Sequence, residues 1–158
     1  MMRKVTIIAV AVLALSLLVG AGGDRAFKAD LSGAEEVPSV ATDSSGRATF
    51  HVNKDETEIR FKLKIKNADD IFGAAGSHIH CGPAGANGPV VAFLAAPVPG
   101  GFDGTVEVKA TLTDANIINP ACGATIAELV DAMEAGGTYV NAHSSAHPGG
   151  EVRGQIGG

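Results

Sequence analysis

An all-β fold, an antiparallel β-sandwich or Greek-key barrel with one short helix over about 125–135, follows from three observations in this 158-residue sequence. Short segments alternate apolar and polar residues at a period of two, the pattern of half-buried strands. Gly, Pro, Asp, Asn and Ser interrupt these segments at close intervals, as the turns of an antiparallel sheet require. A single later stretch, beginning at Thr125, carries a helical period with its own start and stop signals.

The N-terminus stands apart from this pattern. Met1 to Lys4 is short and basic, Val5 to Ala21 is apolar or small, and Val19-Gly20-Ala21 supplies the small residues of a cleavage site. Residues 1–21 therefore read as a secretory signal peptide. A retained membrane anchor is the competing reading for an apolar run of this length, but no positive cluster follows to stop transfer. No cysteine lies at the junction, which argues against a bacterial lipoprotein. Residues 22–158 are expected to form one domain, secreted or periplasmic, with no membrane association once the leader is removed. The chain is acidic, with a formal charge of −5, and its lysines and arginines form no basic run. That balance, with few aromatic residues, argues against a nucleic-acid partner.

The strands are taken in order. Phe27 to Leu31 is a first strand. Ser32 to Val40 reads as an irregular connection carrying Glu35, Glu36 and Pro38, and Asp43-Ser44-Ser45-Gly46 is a turn. Arg47 to Val52 puts Ala48, Phe50 and Val52 on one face and His51 on the other. Glu58 to Lys66 is the clearest strand: Ile59, Phe61, Leu63 and Ile65 alternate with Arg60, Lys62, Lys64 and Lys66, one face for the core and one for water. Asp69-Asp70 reads as a solvated turn. Gly76 to Cys81 and Val90 to Leu94 are strands flanking a breaker-rich loop at 82–89. Thr105 to Leu112 is expected to turn Val106, Val108, Ala110 and Leu112 inward. Thr125 and Glu128 fit a capping box, Ile126, Leu129, Val130 and Met133 share one helical face, and Gly136-Gly137 ends the helix. Thr138 to His143 and Glu151 to Ile156 close the chain as two further strands.

Four of the five histidines fall in two segments, Ser77-His78-Ile79-His80-Cys81 and Asn141-Ala142-His143-Ser144-Ser145-Ala146-His147. Residues two apart on a strand share a face, so His78 and His80 project together and Ile79 points the other way. Two imidazoles on a rigid strand make half of a metal site. His78, His80 and His143 are the candidate ligands, with His147 as a fourth; His51, alone on a polar face, is not grouped with them. Imidazole ligands without an obligate thiolate favour copper, with zinc as the alternative. Cys81 and Cys122 read as a disulfide in an exported chain. The competing reading makes Cys81 a thiolate ligand, but strand alternation turns it away from His78 and His80.

Ser77-His78-Ile79-His80-Cys81-Gly82-Pro83-Ala84-Gly85, Gly88 to Leu94, Tyr139 to His143 and His147-Pro148-Gly149-Gly150-Glu151-Val152-Arg153-Gly154-Gln155-Ile156 resemble the CHRD domain, the module first described in chordin and found in many bacterial secreted proteins. Leu31 to Pro38 resembles its usual opening. The resemblance covers nearly all of the chain after the leader, and it implies a β fold and an exported location. A weaker similarity, in arrangement only, is to copper/zinc superoxide dismutase, which also combines a His-x-His strand, distant histidines, a disulfide and a late arginine on a Greek-key barrel. That family's zinc-loop ligand series and long electrostatic loop are not found here.

Two further residues belong to the candidate site. Arg153 either pairs with a carboxylate such as Glu151 or Glu35 at a strand end, or serves a catalytic role by guiding an anion to the metal. Asn141 shares a face with His143 and either orients a ligand by hydrogen bonding or satisfies a strand edge. The sequence carries no nucleophile elbow and no phosphate loop. The expected function is therefore an exported module that binds a metal ion, with an extracellular protein or matrix partner. A superoxide-dismuting copper enzyme and a metal-free adhesion module are the alternatives.

Overall fold

The structure, a computed structural model, describes residues 25–158; the expected signal peptide lies outside the described residues. The elements are β1 (Arg25–Ser32), β2 (Ser45–Val52), β3 (Ile59–Ile71), β4 (Ser77–Cys81), β5 (Val90–Ala95), β6 (Phe102–Leu112), α1 (Ile126–Glu134), β7 (Thr138–Ala142) and β8 (Val152–Gln155). All eight strands join one sheet in the order β5-β4-β7-β8-β1-β2-β3-β6, and each neighbouring pair is antiparallel. The two edges curl toward each other. Ala92 of β5 bridges Ile117, just past β6, and the Ile118 N–H donates to the Val91 carbonyl at 2.9 Å. The expected antiparallel β fold is thus a single sheet, nearly closed into a barrel.

The apolar periods build the interior. Phe27, Phe50 and Phe61 face one another across β1, β2 and β3, as do Ala29, Ala48 and Leu63, and all six are buried. Helix α1 adds Ile126, Leu129, Val130 and Met133 to the same core, each with no exposed surface. Its capping box forms as expected, Thr125 and Glu128 satisfying each other's backbone N–H groups. Burying each large apolar side chain contributes about 1.5–3 kcal/mol. Cys81 at the end of β4 is disulfide-bonded to Cys122. That bond staples the connection between β6 and α1 to the histidine strand, and it takes Cys81 out of the candidate ligands.

Two strands differ from the sequence reading. β3 does not stop at Lys66. It continues to Ile71 through register shifts on either side of Ala68, with Asn67 and Asp70 in the left-handed region at φ 51°. Asn and Asp tolerate that conformation, and bulged residues break the alternation that marks a strand in sequence. Asp69-Asp70 is therefore the bent end of a strand rather than a turn. The bend carries the chain to the second histidine segment: Ile71 bridges Ser144, and the Phe72 N–H donates to the His143 carbonyl at 2.7 Å. β6 departs in a different way. Leu112 is buried and Val106 and Val108 are half-buried, but Ala110 is exposed, because β6 is an edge strand with no further strand beside it.

Gly154 lies where β8 passes β1, and a Cβ at this position would collide with the backbone carbonyl of Asp30. Gly154→Ala is expected to destabilise the fold by about 1–3 kcal/mol, the usual cost of overpacking, read as a lower urea midpoint with an unchanged m-value.

Candidate metal centre

Around β4, β7 and β8 the sheet is buried on both faces. Ile79, Val140 and Val152 enter the apolar core, while the register sets His78 opposite Asn141 and Asn141 opposite Arg153 on the outer face. His80, Tyr139 and Gln155 make the next row of that face. His78, His80, Tyr139, Asn141, His143 and Arg153 are all buried. What covers them is loop rather than secondary structure, so this second layer must satisfy backbone as well as side-chain polar groups.

Arg153 does much of this work. It is 1% exposed, and its guanidinium carbon lies 3.5 Å from the centroid of the Tyr139 ring. Nη1 donates to the Asn87 side-chain oxygen at 3.1 Å, and Nη2 donates to the carbonyls of Pro83 at 3.1 Å and Ala86 at 2.8 Å. Gln155 donates to the carbonyls of Gly82 at 3.0 Å and Gly136 at 2.7 Å. The sequence reading paired Arg153 with Glu151 or Glu35, or aimed it at an incoming anion. In the structure it is the clamp of the 82–89 loop, with Nη1 and Nη2 both bonded to that loop. Glu151, also buried, accepts from the hydroxyls of Thr42 and, at 2.7 Å, Ser144. It thereby joins the segment after β1 to the loop after β7.

Under this cover lie three imidazoles. Each of His78, His80 and His143 offers a nitrogen within 4.8 Å of the others'. His78 Nδ1 is 3.1 Å from His143 Nε2, and the ring centroids of His78 and His80 are 5.5 Å apart. The protons are placed by the neighbours. His80 Nδ1 is 2.9 Å from the Gly88 carbonyl and His143 Nδ1 is 3.0 Å from the Pro148 carbonyl. A carbonyl only accepts, so both Nδ1 atoms carry protons and both Nε2 atoms present lone pairs. His80 Nε2 is buried and has no hydrogen-bond partner. His80 is also stacked on Tyr139, with ring planes 13° apart, and Phe93 packs edge-on against His78.

Electrostatics keeps the rings neutral. Burial pushes His78 down to about 4, helped by the neighbouring His143 and His80, while a hydrogen bond to the Ala75 backbone acts the other way. Burial also lowers His80 and His143, against the carbonyls of Gly88 and Pro148 that favour the protonated rings. Three neutral imidazoles, those of His80 and His143 oriented by carbonyl partners, form a group that could hold a metal ion. Two nitrogens on one metal with bonds of about 2.0–2.1 Å lie at most about 4.2 Å apart. The closest pair already meets this, and the widest separation needs to close by only roughly half an ångström.

The other candidates are placed elsewhere. His147, expected as a fourth ligand, turns its Nε2 toward Glu151 at 3.6 Å and is not part of the cluster. Pro148 follows it and turns the chain, so the carbonyl of Pro148 reaches the site in place of the His147 ring. Asn141 donates to Glu36 at 3.3 Å rather than to a histidine; the ring-orienting groups are the carbonyls of Gly88 and Pro148. Sequence reasoning missed these two because a backbone carbonyl has no residue signature. It also missed Tyr139 and Glu36, although the match of Tyr139 to His80 across β4 and β7 follows once the register is known. His51 sits exposed on the outer face of β2.

Residues 27–156 match the CHRD domain family. The chain belongs to the CHRD family. No curated protein matches it. The CHRD domain is typically an extracellular module, and an intramolecular disulfide agrees with an oxidising compartment. Among the described residues no helix is long and apolar enough to cross a membrane. The residues that carried the resemblance are largely those of the outer layer: Arg153 and Gln155 hold the 82–89 loop, Glu151 holds Thr42 and Ser144, and Gly150 makes room for a carboxylate. A Cβ on Gly150 would lie 2.6 Å from both oxygens of Glu36.

Two outcomes are expected. Arg153→Met keeps an apolar stem but strands the carbonyls of Pro83 and Ala86, so it should cost about 3 kcal/mol in urea unfolding and open the 82–89 loop to protease. Glu36 is raised from its ordinary value to about 7, chiefly by burial, against the opposing pull of Arg153 and Asn141. The folded state thus binds the proton more tightly than the unfolded chain. The resulting stability is fully present below the unfolded pKa near 4.5 and is lost as pH rises through about 7. Glu36→Gln should therefore match wild type below pH 4.5 and exceed it above pH 7 by about 1–3 kcal/mol, measured as urea-unfolding free energies across that range.

Proposed function

We propose that this protein is an exported CHRD module that binds one transition-metal ion through the imidazoles of His78, His80 and His143. Residues 1–21 act as its cleaved leader and residues 22–158 as the working domain, in a secreted or periplasmic location. The observation that carries the reading is the buried, unpartnered Nε2 of His80, set beside two further imidazole nitrogens. A buried polar atom without a partner costs about 1–3 kcal/mol, and a bound cation removes that cost.

Copper suits the donor set best, with zinc the alternative, because neutral imidazoles without thiolate follow the preference of borderline metals. The carbonyls of Gly88 and Pro148 would fix each ring's orientation and strengthen it as a donor. A metal so placed would supply Lewis acidity or, if copper, one-electron chemistry. The residues around it bind, orient and exclude water: Tyr139 and Phe93 pack on the rings, and the 82–89 loop closes over them. The superoxide-dismuting alternative drew on an anion guide at Arg153, and the occupied donors of that side chain favour the binding module. An extracellular protein or matrix partner remains part of the proposal.

Metal-free protein titrated with Cu(II) or Zn(II) is expected to take up one equivalent by calorimetry and mass spectrometry, with nitrogen hyperfine structure in the copper EPR spectrum. His80→Ala should abolish stoichiometric uptake, and His147→Ala should leave it intact. Uptake by a His78→Ala, His80→Ala double variant equal to that of wild type would end the proposal.

A further inference from the structure

The sequence shows no run of basic residues, yet the folded sheet makes a basic surface. On the outer faces of β1, β2, β3 and β6, Lys28, Lys62 and Lys109 fall in one cross-strand row, with Thr49 among them. Arg47 and Lys64 occupy the row beside it, and Arg60 and Lys66 flank these on β3. These are seven of the chain's twelve lysines and arginines, on a protein with a formal charge of −5. The same rows hold two carboxylates, Asp30 and Glu107. Asp30 pairs with Arg47 at 2.6 Å, and Glu107 with Lys62 at 2.9 Å and Lys109 at 2.8 Å. Lys28, Arg60, Lys64 and Lys66 have no carboxylate partner among the described residues.

Solubility alone is served by interspersed charges of both signs. Gathering most of the positive charge of an acidic chain on one sheet face raises a local potential that attracts polyanions. The face is open and extended, with strands about 4.8 Å apart and same-face residues about 6.7 Å apart along each strand. It dips into a depression of about 450 Å3 lined by Thr49, His51, Arg60, Lys62, Lys109 and Thr111, together with the apolar Phe61 and Ala110. Charged and hydroxyl donors line it together.

We propose that this face binds an anionic polysaccharide, a carboxylated or sulfated chain running across the rows. The other polyanions fit it less well. A single-stranded nucleic acid needs aromatic platforms for its bases, and the rows carry no Phe, Tyr or Trp. A bilayer surface calls for apolar side chains that enter the headgroup region, whereas the exposed large apolar residues, Phe93, Phe102 and Ile118, lie outside these rows. A globular acidic protein calls for a broad apolar centre to its interface, whereas the cross-strand rows of this face carry charged and hydroxyl side chains. A flexible sugar polymer asks only for spaced cations and hydroxyl donors. The proposal is independent of the candidate metal site, whose histidines lie on β4 and just past the end of β7.

The purified protein is titrated by calorimetry with heparin as the sulfated probe and alginate as the carboxylated one. Neutral dextran, oligo-dT and phosphatidylglycerol vesicles run in parallel. The expected result is binding to heparin or alginate that weakens with sodium chloride, and no binding to dextran. Lys28→Gln, Arg60→Gln, Lys64→Gln and Lys66→Gln combined spare the paired lysines and should weaken binding by about tenfold or more, with an unchanged circular dichroism spectrum and urea midpoint. His78→Ala with His80→Ala should leave polysaccharide binding unchanged, so that failure here and failure of the metal reading are distinguished. The proposal is overturned if neither anionic polysaccharide binds, if dextran binds equally, if the quadruple variant keeps wild-type affinity, or if oligo-dT or the vesicles bind more tightly.

Discussion

The buried guanidinium of Arg153 is the interaction on which the outer layer depends. A charge out of water is costly unless hydrogen bonds replace its hydration, and a loop laid over a sheet is costly unless its carbonyls find donors. Arg153 and the 82–89 loop solve each other's problem, with the Tyr139 ring as the floor beneath the guanidinium. The consequence reaches the histidines. Gly88 belongs to the loop so held, its N–H donates to the Tyr139 hydroxyl at 3.1 Å, and its carbonyl accepts the His80 proton. A residue on β8 thereby decides which nitrogen of a ring on β4 is free.

The protein is built of two layers with different physics. Inside, the apolar faces of the strands and of α1 pack against one another. Outside, over β4, β7 and β8, a polar layer is roofed by loops and is exact in its pairing where it holds position. Glu151, Arg153 and Ser144 are bonded to neighbouring segments, and Gln155 donates to two carbonyls while its own side-chain oxygen is left without a partner. Among the buried groups left short of partners, His80 Nε2, Glu36 Oε1, Asn141 Oδ1 and Gln155 Oε1 lie in this layer, and others, such as Thr138 Oγ1, lie outside it. A fold that needed this layer only for stability would gain by making these positions apolar. Unsatisfied donors and acceptors are tolerated where a ligand completes them, and the histidine cluster, which could hold a metal ion, is the candidate for that role.

The two surfaces divide the chemistry. The histidine cluster is neutral, buried and narrow, suited to a small cation. The half formed by β1, β2, β3 and β6 is positive, exposed and broad. One strand, β3, contributes to core and surface at once: its odd-numbered Ile59, Phe61, Leu63 and Ile65 are buried, and the even-numbered basic residues between them form the centre of the charged face. Past Lys66 the same strand bends through its bulges and meets the backbone of His143 and Ser144, so the charged face and the histidine pocket are joined by one continuous piece of chain.

Local pattern determined a good deal by itself. Alternation placed the main strands, the capping box set the start of α1 to the residue, and the His-x-His spacing put two imidazoles on one face, because each of these depends on neighbours one to four positions away. An even pair of cysteines in an exported chain suggested the disulfide, though only the fold brings Cys81 and Cys122 together. Register and loop closure decided the rest. Whether His143 or His147 joins the pair depends on how the chain turns at Pro148, and whether Arg153 meets an anion or a loop depends on what covers the sheet. The basic face exists because three strand registers, β1–β2, β2–β3 and β3–β6, align lysines that are far apart in sequence. Such groupings rest on long-range pairing and on backbone carbonyls, neither of which leaves a mark in the order of side chains along the chain.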